Sequence, residues 1–567
     1  IISGSVTHQI EGIVDTDILK LDGRSLSISS VEWNGVKTPF NYSKVSDALG
    51  DVLIVQLNSI LSAGMIGSLK VYYSTSPSAI ALQFLTSNQT TDKKGPFLFS
   101  QCYAIHARSM LPCQDTPAVK APYSAKVSVP AKLTCLMSAV SVNSDTSGSD
   151  EWTYSFSQDI PVPSYLIAIV VGVLESRPIG PRSVVWAEKS IVDSAAEEFQ
   201  ETETFLRAAE DIAGPFVWKR YDMVVLPASF PYGGMENPCL TFVTPTIIAG
   251  DKSLVSVIAH EIAHSWTGNL VTIANWNHFW LNEGFTVYLE RLINGKVYGN
   301  ARRDFNAQYG FTELRRVVKE VLPRHSKLRM SNGGEDPDDA FSKVPYEKGS
   351  ALLMYIEQEV LNEEEKMNFL KEHVRLFSSK SLDTETWLRS MYERYPKMKK
   401  IEGILNEWIY GEGMPPAKPL FQDDSMTTQC HGVLNNLLSD SPSSEKFTAL
   451  SASQKIFVLN DLSERAPIDH AKLDILSQAN FGITSSGNSE IVAAWLKIGL
   501  LSKWEPSIVP SLEFAKKYGR LKYCKATYKN LFDWNMSRQR AIDQFEKEKI
   551  NMHPITVAQV ELLLKKK

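Results

Sequence analysis

The chain has 567 residues, too many for one hydrophobic core, and its composition, 43% hydrophobic and 22% charged, is that of a globular protein of three or four domains. A net charge of −5 offers no broad basic footprint for nucleic acid, and no apolar run is long enough to span a bilayer. Cys102, Cys113, Cys135, Cys239, Cys430 and Cys524 are scattered without a paired framework, which predicts reduced, mostly buried thiols in a cytoplasmic protein. The sequons at Asn41, Asn88 and Asn535 argue weakly the other way. The first residues are Ile1-Ile2-Ser3 rather than Met, so further residues are expected to precede them.

Residues 1–172 read as an N-terminal antiparallel β domain. The run Ser27–Trp33 leads into Asn34-Gly35 and Val36, a strong hairpin signal. Short strands are expected at 51–57, 69–74, 125–129 and 133–142, and a turn-rich segment covers 144–150. Residues 165–173 are nearly continuous apolar, as a fully buried strand would be. This part carries no catalytic motif of its own and reads as scaffold. From 173 to 412 short strands mix with amphipathic helices. Pro415, Pro416 and Pro419 mark a Pro-rich linker over 413–424. Residues 425–567 are helical in pattern, with runs at 490–501 and 510–517, which suggests a stacked-helix domain ending in a solvated tail at 565–567.

The middle section holds His260-Glu261-Ile262-Ala263-His264. On a helix, His260 and His264 lie one turn apart on the same face, where two imidazoles can grip one zinc ion and Glu261 is aimed at its open position. Leu254, Val257, Ile258 and Ile262 give that helix an apolar stripe, against the bland alternative of two solvated surface histidines. Glu283 can supply the third ligand. Three protein ligands leave a position for water, the mark of catalytic zinc.

Two further segments permit a functional and an ordinary reading. Pro231-Tyr232-Gly233-Gly234-Met235-Glu236 lies between strand-like runs. It is either a glycine turn with a surface glutamate, or an edge where a substrate lies as an added strand while Glu236 meets an α-ammonium group. Pro345 suits a first helical position, which puts Tyr346 in the opening turn, as packing or as a donor to an oxyanion.

Together these segments resemble the gluzincin zinc aminopeptidases and, within them, the leukotriene A4 hydrolase subfamily. The resemblance runs from Gln101-Cys102 and Leu111–Pro117 through Gly233–Pro238, Trp280–Arg291 and Val344–Gly349 to Gly519–Lys522. It implies a multidomain α+β protein: an N-terminal β domain, a thermolysin-like α/β zinc domain and a C-terminal all-α, armadillo-like domain. It implies one zinc per chain on His260, His264 and Glu283, with Glu261 as general base toward the zinc-bound water and Tyr346 stabilising the tetrahedral intermediate. Glu236 would hold the free N-terminus of a short peptide. Arg520, with Leu521 and Lys522 beside it, would reach the peptide's carboxylate. Gln101, Cys102, Tyr103 and the backbone near Ala104 would line the channel, and Glu290 would either orient a ligand or form a surface ion pair.

The subfamily's second activity opens a lipid epoxide, leukotriene A4, with an aspartate to which Asp338 corresponds. That aspartate would also favour a basic first residue in peptides. Phe341 stands where the mammalian hydrolase has a tyrosine, Tyr103 where it has a glutamine, and Phe285 replaces a histidine. These changes weigh against the lipid activity, while the full set of ligands and base weighs against a non-catalytic scaffold.

Overall fold

A computed structural model describes residues 1–331 and 333–565; the tail at 566–567 lies outside the described residues. Ser3–Glu11, Ile66–Ser74, Ser27–Trp33 and Val36–Lys37 form one antiparallel sheet in that order, and Thr16–Gly23, Gly50–Leu61 and Phe40–Ser46 a second. Val31, Trp33, Leu53, Val55, Leu69 and Val71 from both sheets build one core. The Asn34-Gly35 hairpin forms with both residues at positive φ, 51° and 81°, and Trp33 opposite Val36.

Two expected strands come out differently. The run 133–142 splits into Thr134–Met137 and Val140–Asp145, which belong to separate sheets. Buried Ser138 turns the chain between them, its hydroxyl accepting from Ala168 N at 2.9 Å and meeting Tyr123 OH at 2.7 Å. Of the apolar run 165–173 only Ile169–Gly172 is strand. Ser164–Leu166 is a 3-10 turn that aims the Tyr165 hydroxyl at Asn282, 3.2 Å away. Where every residue is buried, apolarity no longer distinguishes strand from turn.

The middle section carries a five-stranded sheet in the order Glu175–Gly180, Ser183–Ala187, Asp222–Val225, Leu240–Val243, Gly234–Met235. The three inner strands are parallel, and the two-residue strand closes one edge antiparallel to Leu240–Val243. Six helices pack beside it: α1 (Lys189–Glu198), α2 (Thr202–Ala213), α3 (Ser256–His264), α4 (Trp280–Tyr298), α5 (Asn300–Glu320) and α6 (Val344–Glu359). Helix α3 buries Ile258, Ala259, Ile262 and Ala263 against the core, so its motif histidines are held by packing.

Helices α4 and α6 touch backbone to backbone. A Cβ on Gly284 would lie 2.8 Å from Gly349 Cα, and one on Gly349 would lie 2.9 Å from Gly284 Cα. Arg291 of α4 binds Glu347 at 2.5 Å and Ser350 at 2.9 Å on α6. Buried Lys348 donates from Nζ to the carbonyls of Ser326, Gly411 and Gly413 at 2.8, 2.9 and 3.1 Å, and burial lowers its pKa to about 8. The Pro-rich stretch is therefore tied down rather than a loose tether. Gln358 and Leu420 exchange two bonds of 2.8 Å, and Asp304 accepts from the amides of Gln422 and Asp423.

The last section is all helical among the described residues, from Ser425–Leu437 to Pro554–Lys565, around two larger cores and a smaller one. The first includes Leu434, Phe457, Leu473 and Trp495, and Phe305 of α5 inserts into it. The expected runs appear as Ser489–Leu501, capped by Asn488, and Ile508–Lys517. Among the described residues no helix is long and apolar enough to cross a membrane.

Gly284→Ala is expected to force α4 and α6 apart and lower unfolding stability by about 1–3 kcal/mol, the usual range for overpacking. Urea unfolding measures this; an unchanged midpoint would show that the helices do not meet there.

Candidate active site

Helix α3 presents His260 and His264, and the first turn of α4 presents Glu283 between them. The two Nε2 atoms lie 3.2 Å apart, and Glu283 Oε2 lies 3.5 Å from each. Bonds of about 2.0–2.1 Å in a tetrahedron put neighbouring donors roughly 3.3–3.4 Å apart, so this triangle has the size a zinc ion needs. Glu283 Oε2 is buried and has no hydrogen-bond partner, as a ligand atom aimed at a cation would be.

The far side of each imidazole is held. His260 Nδ1 faces Glu290 Oε2 at 3.0 Å, and His264 Nδ1 lies 2.9 Å from Thr267 O and 3.1 Å from Thr286 Oγ1. Protons on Nδ1 leave both Nε2 lone pairs directed into the triangle. A second cluster, Glu236, Glu261 and His264, would need a donor from the same imidazole; His264 Nδ1 is 3.9 Å from Glu236 and already bonded. The site therefore suits one ion.

Four carboxylates, Glu236, Glu261, Glu283 and Glu290, surround two imidazoles, and this surplus of negative charge is what a divalent cation and an ammonium group would neutralise. Burial pushes the Glu261 carboxyl up to about 7, with Glu236 and Glu283 adding to the rise and the two imidazoles opposing it. A carboxylate titrating near neutrality is suited to taking a proton and returning it. Burial, then the charges of Glu283, Glu236 and Glu261, push the Tyr346 phenol well above its ordinary value, so it stays a donor.

The walls of the cleft come from all three sections. A Cβ on Gly234 would lie 2.2 Å from Glu261 Oε1, so only glycine lets the edge strand approach the base. Glu236 is buried, its carbonyl accepting from Asn269 Nδ2 at 2.7 Å while its Oε1 has no partner. Tyr346, in the first turn of α6, lies with its ring 6.1 Å from that of His260 and 5.8 Å from Phe279. Gln101 Nε2 reaches Met235 Sδ at 3.4 Å, and the buried Tyr103 hydroxyl has no partner. The Tyr103 ring lies 5.8 Å from that of Phe279, which itself lies 5.8 Å from that of Tyr346. The Cys102 side chain belongs instead to an N-terminal core with Leu82, Ala107 and Met110. Only its backbone is left for the cleft.

The C-terminal section is clipped to this cleft by backbone bonds. Gly519 N donates to Ala228 O and Leu521 N to Pro231 O, each at 2.8 Å. A Cβ on Gly519 would meet Ser229 Cα at 2.8 Å, and one on Gly233 would lie 2.7 Å from Arg520 Nη2. Two glycines thus admit the arginine. Glu490 holds it, accepting from Arg520 Nη1 at 3.2 Å, from Lys522 Nζ at 2.7 Å and from Tyr523 OH at 3.0 Å. Burial opposes charge on Glu490, but Lys522 and Arg520 outweigh it and bring its pKa down to about 2.

Asp338 pairs through Oδ2 with His106 Nε2 at 2.9 Å and lines a cavity of about 20 Å³ with Tyr232, Phe341 and Leu521. Phe285 is fully buried and stacks on His373 at 4.1 Å, so its replacement of a histidine is a matter of packing. Glu490 had no signal in the sequence, because an acidic residue in a first helical turn is already explained by the helix dipole. Thr286 and Asn269 were equally silent.

Residues 1–166 match the family model described as the peptidase M1 N-terminal domain, 197–408 the peptidase family M1 domain, and 450–564 the leukotriene A4 hydrolase C-terminal domain. The leukotriene A-4 hydrolase of Xenopus laevis is 42% identical, over 95% of this chain and 90% of its own. Leucine aminopeptidase 2-1 of Meyerozyma guilliermondii is 38% identical, over 99% and 92%. The structure of yeast LTA4 hydrolase in complex with bestatin superposes with a TM-score of 0.91 at 35% identity, over 99% of this chain and 92% of that one.

Glu290→Gln is expected to weaken metal retention about 10- to 100-fold, the usual cost of losing such a partner. Competition with a chelator, read by metal analysis, measures it; unchanged retention would leave Glu290 a surface charge.

Proposed function

Because the chain belongs to peptidase family M1, with a C-terminal domain of the leukotriene A4 hydrolase kind, we infer that it is a zinc-dependent aminopeptidase removing the first residue of short peptides. The observation that carries the residue assignments is the convergence on one opening of a metal-sized donor triangle, a base near neutrality, a phenol donor and an unpartnered carboxylate. His260, His264 and Glu283 would hold one zinc per chain. Bound there, the ion would polarise the scissile carbonyl and make water a better nucleophile.

The rest is done by side chains. The substrate backbone lies along the open edge of Gly234–Met235 as an added strand. The carboxylate of Glu236 receives the α-ammonium group, which limits cleavage to the first residue. Glu261 takes a proton from the attacking water and passes it to the leaving amine. The Tyr346 hydroxyl donates to the developing oxyanion. Arg520 binds the far carboxylate of a tripeptide-sized substrate, turning binding into orientation. Asp338 favours a basic first residue. In this reading, residues 1–172, 173–412 and 425–567 are the three domains and 413–424 joins the last two. The six buried, unpaired cysteines support a reducing, cytoplasmic setting.

Glu261→Gln keeps size and shape while removing the base. It is expected to lower kcat on peptides by about 10²- to 10⁴-fold while zinc stays bound. Metal analysis with peptide kinetics tests this; retained turnover overturns the assignment.

A second activity, opening of a lipid epoxide, is supported by Asp338, which lines a cavity with Tyr232 and Leu521. Against it, the cavity there is only about 20 Å³ and is walled by Phe341. Zinc-loaded, peptidase-active protein is expected to yield a stereospecific dihydroxy acid from leukotriene A4 if that cavity opens. Chelator-treated protein is the blank, and no product above it removes the second activity.

A further inference from the structure

We propose that His106 is a positioning residue: it holds the Asp338 carboxylate where a basic first residue can reach it, and so sets the preference at that position. This rests on the reading of Asp338 as the group that favours a basic first residue.

Asp338 has little of its own to hold it. It lies in the 3-10 turn Pro337–Ala340, and between Gly333 and Lys343 only Ala340 is buried, so this segment has no core of its own. Its backbone is fixed locally, Asp338 N donating to Asp336 Oδ1 at 3.1 Å. Its side chain is held from the N-terminal section, by His106 Nε2 at 2.9 Å from Oδ2. A carboxylate only accepts, so Nε2 carries the proton, and buried Nδ1, which has no partner, is left as a bare acceptor.

His106 itself is a fixed post. Its side chain is fully buried, its N–H donates to Cys102 O at 2.9 Å, and its carbonyl accepts from Ser109 Oγ at 2.8 Å. Asp338 keeps 21% of its side chain exposed, so one partner is closed to a ligand and the other open. Tyr232 and Phe341 line the same small cavity, their rings 6.2 Å apart. Tyr232 directly precedes the glycines of the edge strand, and the Phe341 ring lies 6.1 Å from that of Tyr346, so the open carboxylate borders the substrate's path. Two charged neighbours bear on it. Asp336 adds to its negative charge, and Lys525, on the cavity wall with its ammonium donating to Gln559 Oε1 at 3.0 Å, opposes it. A cationic side chain gains most from a carboxylate already held in place; a mobile one would have to be ordered by each substrate at a cost in entropy.

The test compares kcat/KM for Arg-Ala-Ala and citrulline-Ala-Ala, which differ in charge and hardly in shape, on the zinc-loaded enzyme. Wild type is expected to favour the arginine peptide roughly tenfold. His106→Leu removes the donor and is expected to bring the ratio below about threefold, through a rise in KM for the arginine peptide. His106→Gln, whose amide nitrogen reaches as far as Nε2, is expected to restore it. Asp338→Asn should bring the ratio near one whichever residue stands at 106, as two groups acting through one contact require. If His106→Leu does not fold, His106→Asn, too short to reach the carboxylate, takes its place. Damage to the fold lowers both peptides alike and cancels, so a ratio that survives loss of the donor makes His106 a packing residue and overturns the proposal. A ratio that falls as far in His106→Gln overturns it too. If Asp338→Asn keeps the wild-type preference, or wild type has none, the reading of Asp338 and the proposal fall together, while the aminopeptidase assignment stands on turnover of either peptide.

Discussion

The backbone contact between Gly284 and Gly349 is the constraint on which the site's geometry depends. It brings α4 and α6 closer than any side chain between them would allow. Glu283 is the residue before one glycine, and Tyr346 lies three residues before the other. The same crossing sets the metal-facing carboxylate and the phenol on opposite sides of one opening. The Arg291–Glu347 pair and the Arg291–Ser350 bond cross-link the two helices, and buried Lys348 anchors α6 to Ser326 before it and to Gly411 and Gly413 after it. Glu347, Lys348 and Gly349 in the Val344–Gly349 motif are thus explained by packing, and only Tyr346 is left for chemistry.

Charge explains why so polar a cluster survives inside the protein. Buried carboxylates are costly unless paired. Here two imidazoles, each fixed at its far nitrogen, and the place for a divalent ion offset Glu283 and Glu290. Glu236 and Glu261 keep their carboxylates for substrate and water. At the other end of the cleft the sign is reversed: Arg520 and Lys522 exceed Glu490. A short peptide with a free amine and a free carboxylate has the matching polarity, negative wall to ammonium and positive wall to carboxylate.

That second end exists only because the domains are joined by backbone. The bonds from Gly519 and Leu521 to Ala228 and Pro231 run beside the segment that carries Gly233, Gly234 and Glu236. The strand that would bind the substrate's backbone and the arginine that would bind its end are therefore joined by main-chain bonds across the domain boundary.

His260, His264, Glu261 and Glu283 were legible in the sequence because helical spacing and ligand chemistry are local properties. The Asn34-Gly35 hairpin and the capped helices of the last domain were legible for the same reason. Glu236, Tyr346 and Arg520 were not, since a glycine turn, an opening-turn tyrosine and a basic helix start each have ordinary explanations; only family resemblance raised them. Cys102 shows the limit of that resemblance, because its side chain lies in the N-terminal core. The strand at 169–172 was shorter than its apolar run, since burial without periodicity carries no shape. Glu490 depended wholly on tertiary structure: the charges that face it, Arg520 and Lys522, lie 30 and 32 residues further along the chain, beside a different helix. Sequence alone determined the local chemistry of the metal motif; the crossing of two glycine-lined helices and the clip between domains decided what that chemistry could reach.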